Sequence, residues 1–302
     1  RVENNLLVLT STPAKPTFLS FKQEMASLGY EEGKNIVYFS VSSADEEVIR
    51  SEGEGLLQKK PQLLVTFSTI ATKAGMAITR EHPLPLVFGQ VSTLEGIGIN
   101  SEEERVKKNI TGVTAAVPVT KQLEFLKRLA PGIRKVLLVY KPDPMPLPLV
   151  AQLRKVAPDI GVELVLREIE DAPGLGRLLE SLKPGEIDAI LQIPDPIGSY
   201  NFPPFARNSL RLKVPLGVSL EQNVTTRGAL FSYVLDLEEH GKEVAVLLDK
   251  VLKDIPFTKL QVEIPRRYFL TLNLETAREI GLTIPPDMLS LTDRIIGDNI
   301  GR

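Results

Sequence analysis

A strand-to-helix transition occupies residues 63–76, which read LLVTFSTIATKAGM. The apolar run Leu63–Phe67 is typical of a buried strand, because it is short, continuous and bounded by polar residues. It breaks abruptly at Ser68 and Thr69, and the residues from Ile70 to Arg80 have the spacing of a helix. The stretch therefore predicts a βα unit with two hydroxyl groups at the point where its strand meets its helix.

The same alternation of apolar runs and amphipathic stretches extends over most of the chain. Strands joined by helices pair in parallel, because a parallel crossover needs a dozen or more residues. Two successive halves with this pattern predict two doubly wound α/β lobes, in preference to one open sheet of ten strands. The predicted strands are 6–9, 36–39, 63–67, 84–88, 110–114, 136–140, 162–166, 189–193, 215–218 and 229–234, and the predicted helices are 18–28, 44–58, 70–80, 120–129, 147–157, 175–182, 203–212 and 237–252.

This topology also predicts where a ligand would bind. Ligands of doubly wound sheets bind beyond the carboxyl ends of the strands, and two facing lobes line a shared cleft with those ends. The first turn of a helix carries unpaired N–H groups and a partial positive charge. The sequence therefore predicts a carboxylate-binding position at the start of the helix, formed by its N–H groups and the hydroxyls of Ser68 and Thr69. The alternative is that these hydroxyls only cap the helix.

Composition restricts the class of protein. The 302 residues are 43% hydrophobic and 25% charged with a net charge of −2, which indicates a soluble globular chain without a basic face for nucleic acid. No apolar run approaches the roughly 18 residues of a transmembrane helix. Cysteine is absent, which excludes disulfides, thiolate metal sites and cysteine nucleophiles. The first residue is Arg1, as expected for a mature form whose leader has been removed.

Five strings, in order along the chain, resemble one protein family. They are LGYEEGKNI (28–36), NITGV (109–113), KQLEFLKRLAPGIRKVLLVY (121–140), RGAL (227–230) and LNLETAREIGLTIPPDMLSLTDRII (272–296). In their order and spacing they resemble the substrate-binding proteins of ABC transporters, of the tryptophan- and tyrosine-uptake type. The resemblance covers nearly the whole chain.

The resemblance implies a type I periplasmic-binding-protein fold, in which two Rossmann-like lobes are joined by three crossing segments. By analogy, the first lobe is expected to comprise residues 1–116 and about 237–264, and the second residues 117–236 and about 265–302. The resemblance also implies that a small molecule binds in the cleft and passes to permease subunits in the membrane. We expect this molecule to be an amino acid, preferably an aromatic one. Export is also implied, as a periplasmic protein or a membrane-anchored lipoprotein, and we expect a monomer.

The first lobe supplies eight candidate ligand-binding residues, each near the carboxyl end of a predicted strand. Phe67 offers either a ring for the ligand or the last core position of its strand. Thr93 stands where relatives commonly carry an acidic residue, so this loop is expected to contact the ligand through neutral hydrogen bonds or to be a plain polar loop. The eight candidates are Ser11, Thr12, Phe67, Ser68, Thr69, Gln90, Ser92 and Thr93.

The second lobe supplies five candidates, of which Asp195 has the most specific predicted role. It lies between Pro194 and Pro196, which fix the backbone and can aim its carboxylate at a ligand ammonium group. Glu221 is the substitute for this role, and the alternative for Asp195 is the start of a turn before Gly198. The five candidates are Tyr140, Asp195, Ser199, Ser219 and Glu221.

One departure from the family pattern affects the second lobe. Residues 142–148 contain four prolines, where relatives have a small polar loop. The ligand therefore cannot be copied from the family. Phe67, Tyr140 and Tyr200 are the candidates for an aromatic contact, each with a core position as the alternative.

No catalytic, cofactor or metal site is predicted. His82 and His240 have no partners at metal-ligand spacing and no serine nucleophile at a suitable distance along the chain, and both are expected to be solvated. A Gly-rich phosphate-binding fingerprint is absent, so no cofactor is expected. The alternatives to solute binding are a ligand-sensing domain of a receptor or regulator, and an enzyme on the same fold.

Overall fold

The computed structural model describes residues 4–195 and 197–297, and the chain divides into two compact units. Unit 1 comprises the chain up to Ala116 and the segment Leu235–Arg267. Unit 2 comprises the segment Val117–Val234 and the chain from Tyr268 onward. The backbone therefore passes from one unit to the other three times.

Strands and helices alternate along both units. The strands in the described part of the chain are β1 (Asn4–Ser11), β2 (Ile36–Ser43), β3 (Leu63–Phe67), β4 (Leu86–Val91), β5 (Ile110–Thr114), β6 (Lys135–Tyr140), β7 (Glu163–Glu168), β8 (Ala189–Leu191), β9 (Leu216–Val218), β10 (Phe231–Leu235), β11 (Tyr268–Asn273) and β12 (Arg294–Ile296). The α-helices there are α1 (Lys15–Ser27), α2 (Glu46–Leu56), α3 (Thr69–Glu81), α4 (Glu102–Lys107), α5 (Val119–Leu129), α6 (Pro146–Val156), α7 (Ala172–Ser181), α8 (Phe202–Leu212), α9 (Leu237–Leu252), α10 (Leu274–Ile280) and α11 (Pro286–Leu291). None of these helices combines the length and the apolar character needed to span a membrane.

Unit 1 contains a five-stranded sheet in the order β2-β1-β3-β4-β5, and its four strand pairs are parallel. Side chains of β1 alternate between the two faces of the sheet, since Leu6 and Val8 lie in one core cluster and Leu7 and Leu9 in another. A parallel sheet needs apolar residues on both faces, because helices cover both. The near-continuous apolar run of β1 meets this requirement.

Unit 2 contains a seven-stranded sheet in the order β12-β11-β10-β9-β8-β6-β7. Its pairs β6–β7, β6–β8, β8–β9, β9–β10 and β11–β12 are parallel. The prediction of two Rossmann-like α/β lobes is confirmed, and the alternative of one open sheet of ten strands is wrong. The sequence pattern predicts neither β11 nor β12, because β12 has only three residues and the family analogy places the third crossing segment near Ile264–Thr271, over part of β11.

Helix α9 returns to unit 1 and packs against α1. The two helices approach closely at Gly241, where an added Cβ would lie 2.0 Å from Ser20 Oγ and 2.4 Å from the carbonyl oxygen of Thr17. The carbonyl oxygen belongs to the backbone and cannot move aside, so only glycine fits this position. The contact fixes the first turns of α9, which carry the buried side chain of His240.

The last segment of unit 1 is held by a buried arginine. Arg105 is fully buried, and its guanidinium donates hydrogen bonds to the carbonyl oxygens of Ile110 and Leu260. Three residues after Leu260, the backbone of Glu263 exchanges hydrogen bonds with β5. The segment therefore lies along the edge of the sheet before the chain leaves for unit 2.

The close approach at Gly241 yields a stability prediction. Gly241→Ala should lower the free energy of unfolding by about 1–3 kcal/mol, because the added methyl group overpacks a contact with backbone atoms. The matched control is Gly55→Ala on α2, where an added Cβ meets nothing within 4 Å. That change should be neutral or stabilise the protein by up to about 1 kcal/mol. Urea denaturation of both variants checks the prediction, and equal stability changes of the same sign would contradict it.

Candidate functional site

The strands of unit 1 that carry predicted site residues end side by side. β3 and β4 are paired so that Phe67 lies opposite Gly89. The residues that follow, Ser68 and Gln90, are therefore neighbours at the carboxyl edge of the sheet, and the Ser68 N–H donates to the Gly89 carbonyl oxygen at 3.1 Å. Ser11 ends β1 on the other side of β3.

Ser68 is the N-cap of α3 and has an unusual backbone conformation. Its Oγ accepts a hydrogen bond from the Ala71 N–H at 3.3 Å, so the predicted capping role is present. Its φ of 100° and ψ of 158° lie in a region that residues other than glycine rarely adopt. Within the described part of the chain, the N–H groups of Thr69 and Ile70 have no hydrogen-bond partner, as is usual for the first residues of a helix.

Gln90 occupies a bulge near the end of β4. Gly89 pairs with Val113 and Val91 pairs with Thr114, which leaves Gln90 out of the ladder with φ of 55°. Its backbone N–H donates to His240 Nε2 at 2.8 Å. Its side-chain Oε1 is buried and has no hydrogen-bond partner among the described residues.

Two residues other than glycine with positive φ thus lie next to each other at one edge of the sheet. A backbone in such a region costs about 1–3 kcal/mol and persists only where surrounding contacts hold it. For Ser68 these contacts are the bond to Gly89 and the cap, and for Gln90 the contact is the bond to His240. Strain of this kind concentrates at functional sites, which makes this edge the strongest site candidate in unit 1.

The remaining polar candidates of unit 1 lie in less specific surroundings. Thr12, Ser92 and Thr93 are exposed, and Thr93 Oγ1 accepts from the Gly96 N–H at 3.0 Å within a tight turn. Ser11 is buried at the end of β1. The polar-loop alternative therefore describes Ser92 and Thr93 well.

Phe67 is a core residue. It is fully buried, and its ring contacts those of Phe18 and Phe21 at centroid distances of 5.9 and 5.4 Å. The aromatic rings form one cluster on the face of the sheet that α1 and α9 cover. The structure therefore favours the core alternative for Phe67 over an aromatic contact with the ligand.

The prediction that His240 is solvated is wrong. The ring is 1% exposed, and burial lowers the pKa of His240 to about 4. Because Nε2 accepts the Gln90 N–H, the neutral ring carries its proton on Nδ1. The sequence contained a signal for this burial, since His240 precedes the buried residues Val244 and Leu248 by four and eight positions.

Glu243 lies one helical turn beyond His240 and does not form an ion pair with it. The distance from His240 Nδ1 to Glu243 Oε2 is 3.8 Å, which is too long for a hydrogen bond. Burial raises the pKa of Glu243, and the neutral imidazole offers it no positive charge. Glu243 Oε1 instead accepts the backbone N–H of Arg266 at 2.8 Å.

Asp195 in unit 2 ties two loops together. It is 1% exposed, and its Oδ1 accepts the N–H groups of Ile197 and Gly198 at 2.9 and 2.6 Å. Its Oδ2 accepts the Lys141 N–H at 2.6 Å, from the loop that follows the neighbouring strand β6. The carboxylate thus accepts hydrogen bonds from three backbone donors, which favours the alternative of a turn before Gly198 over the predicted ammonium anchor. Pro196, predicted to help aim this carboxylate, lies outside the described residues.

The other candidates beside Asp195 are also engaged. Ser199 Oγ accepts the Asp195 N–H at 3.1 Å and so belongs to the same turn. Tyr140 is buried at the end of β6, and its hydroxyl donates to Glu168 Oε1 at 3.3 Å. Burial, with the negative charge of Glu168 close by, raises the pKa of Tyr140. Tyr200, in contrast, is 85% exposed.

Polar groups that sequence reasoning only partly identified directly follow β8 and β9 and lie near the start of β10. Ser219 Oγ is buried and lacks a hydrogen-bond partner in the described part of the chain, as do Gln192 Oε1 and Ser232 Oγ. Gln192 and Ser232 were missed, because a single polar residue within an apolar strand gives no periodic signal. Glu221 Oε1 accepts from Thr271 Oγ1 at 3.1 Å and pairs with Arg294 at 3.2 Å.

The described residues contain no group of three His, Asp or Glu side chains arranged to hold a metal ion.

A family model for the ABC transporter substrate binding protein matches residues 5–296. The chain belongs to this family. The resemblance expected from the five sequence strings is thereby confirmed, and the family is one of solute-binding proteins rather than an enzyme class.

Several known proteins are similar to this ABC substrate-binding protein. A tyrosine-binding protein of Clostridioides difficile (strain R20291) is 25% identical over 247 residues, which are 80% of this chain and 70% of the relative. The ABC domain in complex with L-Trp from Streptococcus pneumonia has a TM-score of 0.77 at 20% identity, over 97% of this chain and 100% of that chain. The ligand-free, open structure of a substrate-binding protein with adhesive properties from Clostridium difficile has a TM-score of 0.85 at 20% identity, over 97% and 99%. At these identities the two solved structures show the shared fold.

Burial of His240 predicts a loss of stability of the binding protein in acid. The folded-state pKa of about 4 lies below the ordinary value of 6.5, so between these values the unfolded chain binds a proton that the folded protein does not. The stability contribution is complete above pH 6.5 and falls by about 3 kcal/mol as the pH drops to 4. Denaturant unfolding between pH 7.5 and 4 should show wild type losing this much more than His240→Gln. A variant of the exposed His82, His82→Gln, should follow wild type, and parallel curves for all three proteins would contradict the prediction.

The three bonds to Asp195 predict a structural role in the binding protein. Asp195→Ala should lower the free energy of unfolding by about 3 kcal/mol, because it leaves three N–H groups without their acceptor. The matched control is Asp143→Ala, since Asp143 pairs only weakly with Lys141 at 3.6 Å. That change should cost less than about 0.5 kcal/mol. Urea titration measures both, and a neutral Asp195→Ala variant would show that the loop connection is dispensable.

Proposed function

We propose that this ABC substrate-binding protein binds a zwitterionic α-amino acid and delivers it to permease subunits in the membrane. Aromatic amino acids are the preferred candidates. Membership of the family supports the transport role. The tyrosine-binding relative and the solved complex with L-Trp support an aromatic amino acid as the ligand. The observation that carries the proposal is the adjacent pair of strained residues, Ser68 and Gln90, at the carboxyl edge of the sheet in unit 1.

The ligand carboxylate is proposed to bind where α3 begins. The N–H groups of Thr69 and Ile70, which lack partners among the described residues, point out of the first helical turn and carry its partial positive charge. The hydroxyl groups of Ser68 and Thr69 add further donors at the same place. Such a set of donors holds an oxyanion without needing a cationic side chain.

The ligand ammonium group is proposed to bind Gln90 Oε1. This oxygen is buried without a partner among the described residues, and an ammonium donor would satisfy it. Ser68 follows β3 and Gln90 lies in the bulge of the adjacent strand β4, and adjacent strands lie about 4.8 Å apart in a sheet. The carboxylate and ammonium groups of an α-amino acid are bonded to the same carbon, so neighbouring strand ends can contact both.

The protein is proposed to act without chemical turnover, outside the cytoplasm, as a monomer that is either free or lipid-anchored.

Removing the two hydroxyls at the start of α3 tests the proposed carboxylate contact. Ser68→Ala/Thr69→Ala should weaken binding of L-tyrosine or L-tryptophan by about 1–3 kcal/mol for each lost hydrogen bond to the carboxylate. The control is Ser101→Ala, which removes the equivalent cap of α4, where Ser101 Oγ accepts the Glu104 N–H at 3.1 Å. Both variants should lose stability, but only the first should lose affinity in calorimetric titration.

Two results would contradict this proposal. Unchanged affinity in Ser68→Ala/Thr69→Ala would leave these residues as plain caps of α3. Mass spectrometry of the molecule extracted from the purified protein tests the ligand class independently. A ligand without a carboxylate, or consumption of a bound compound during incubation, would overturn the proposed function.

A further inference from the structure

The bond between His240 and Gln90 connects two distant parts of the sequence. Gln90 lies in the bulge of β4, and His240 lies 150 residues later in the first turns of α9. The Gln90 N–H and His240 Nε2 are 2.8 Å apart, and the imidazole is almost completely buried. The bond is therefore shielded from water, and a hydrogen bond in the protein interior is electrostatically stronger than one in water.

The conformation of Gln90 needs such a partner. The bulge removes Gln90 from the sheet ladder, so its N–H has no acceptor in a neighbouring strand. Its φ of 55° is uncommon for a residue other than glycine. An acceptor at the position of His240 Nε2 both satisfies the buried N–H and holds this backbone in place.

The position of the imidazole is itself fixed from several sides. Gly241 packs directly against the backbone of α1, which leaves no freedom for the helix to shift at this point. Asp236 caps α9 by accepting the N–H groups of Glu238 and Glu239. One turn after His240, Glu243 accepts the Arg266 N–H. The acceptor offered to Gln90 is thus preorganised.

Core packing alone does not explain a histidine here. His240 Nδ1 has no hydrogen-bond partner among the described residues, and neither has the nearby Glu243 Oε2. A leucine of similar size would fill the space without burying unpaired polar atoms, which destabilise the folded protein. The one contact that uses the polarity of the ring is the bond to Gln90.

We propose that His240 is a positioning residue for ligand binding, which holds the Gln90 bulge so that the side-chain amide of Gln90 meets the ligand ammonium group. This inference rests on the proposed function, since Gln90 is there assigned to the ligand. It extends that function by assigning a determinant of affinity to a residue of α9 that does not touch the ligand. The helix begins at Leu237, directly after the chain has entered unit 1, and Asp236 donates its N–H to the carbonyl oxygen of Arg267, where the chain leaves the unit.

Three variants separate positioning from stability. His240→Leu removes the acceptor, whereas His240→Gln keeps one, because a glutamine amide reaches about as far as imidazole Nε2. Leu248→Ala is the control, since Leu248 is fully buried two turns along the same helix and its truncation leaves a cavity. Hydrogen–deuterium exchange of a peptide covering residues 88–93 reports the Gln90 N–H without any ligand, and calorimetry with L-tyrosine and L-tryptophan reports affinity.

We expect His240→Leu to speed exchange in residues 88–93 and to weaken binding at least about tenfold, and His240→Gln to restore both to within about threefold of wild type. Leu248→Ala should lose stability but keep wild-type affinity. Unchanged exchange in His240→Leu would overturn the proposal, as would equal losses of affinity in His240→Leu, His240→Gln and Leu248→Ala. If wild type binds neither amino acid, the proposed ligand class fails, and the exchange measurement still decides whether His240 holds Gln90.

Discussion

Parallel pairing of neighbouring strands is the constraint on which the rest of the structure depends. Each parallel strand must be followed by a crossover, so the segments that leave the carboxyl ends of β1, β3 and β4 emerge at one edge of the sheet in unit 1. Apolar residues fill most of both faces of the sheet, and the buried hydroxyls of Thr66 and Thr111 within it are already hydrogen-bonded to Thr72 and Gln261. Polar groups that could meet a ligand therefore collect at the carboxyl ends of the strands.

The sequence predicts a charged carboxylate facing the ligand, whereas the strand ends of the structure present mainly neutral groups. Asp195 is the acid expected to face a ligand. Its carboxylate instead accepts hydrogen bonds from two N–H groups of its own turn and from the N–H group of Lys141. In unit 1 the corresponding edge offers helix N–H groups, hydroxyls and one amide oxygen, held in strained backbone conformations at Ser68 and Gln90. In the proposed function, this edge recognises a zwitterion through the geometry of neutral groups, and a fixed geometry reduces the entropy lost on binding.

Periodic features were predictable from the sequence and single contacts were not. The Phe67–Ser68 boundary and the cap of α3 followed from the end of an apolar run, because a buried strand and a helix start have local signatures. The positive φ of Ser68 and Gln90 had no such signature, since tertiary contacts impose it. His240 was readable in part, as its four-residue spacing to buried positions places it on the inner face of α9. Its hydrogen-bond partner Gln90 lies 150 residues away in the sequence, and only the three-dimensional structure shows that α9 and β4 are neighbours.

We propose that the edge formed by Ser68 and Gln90 holds the carboxylate and ammonium groups of one amino acid. Calorimetry that compares L-tyrosine with tyramine, which lacks only the carboxylate, is the decisive experiment. Loss of the carboxylate leaves the donors at the start of α3 desolvated and unpaired, so tyramine should bind at least about 30-fold more weakly, equivalent to about 2 kcal/mol. Equal affinity for the two compounds would contradict this assignment, because the start of α3 would then make no contact with the ligand carboxylate.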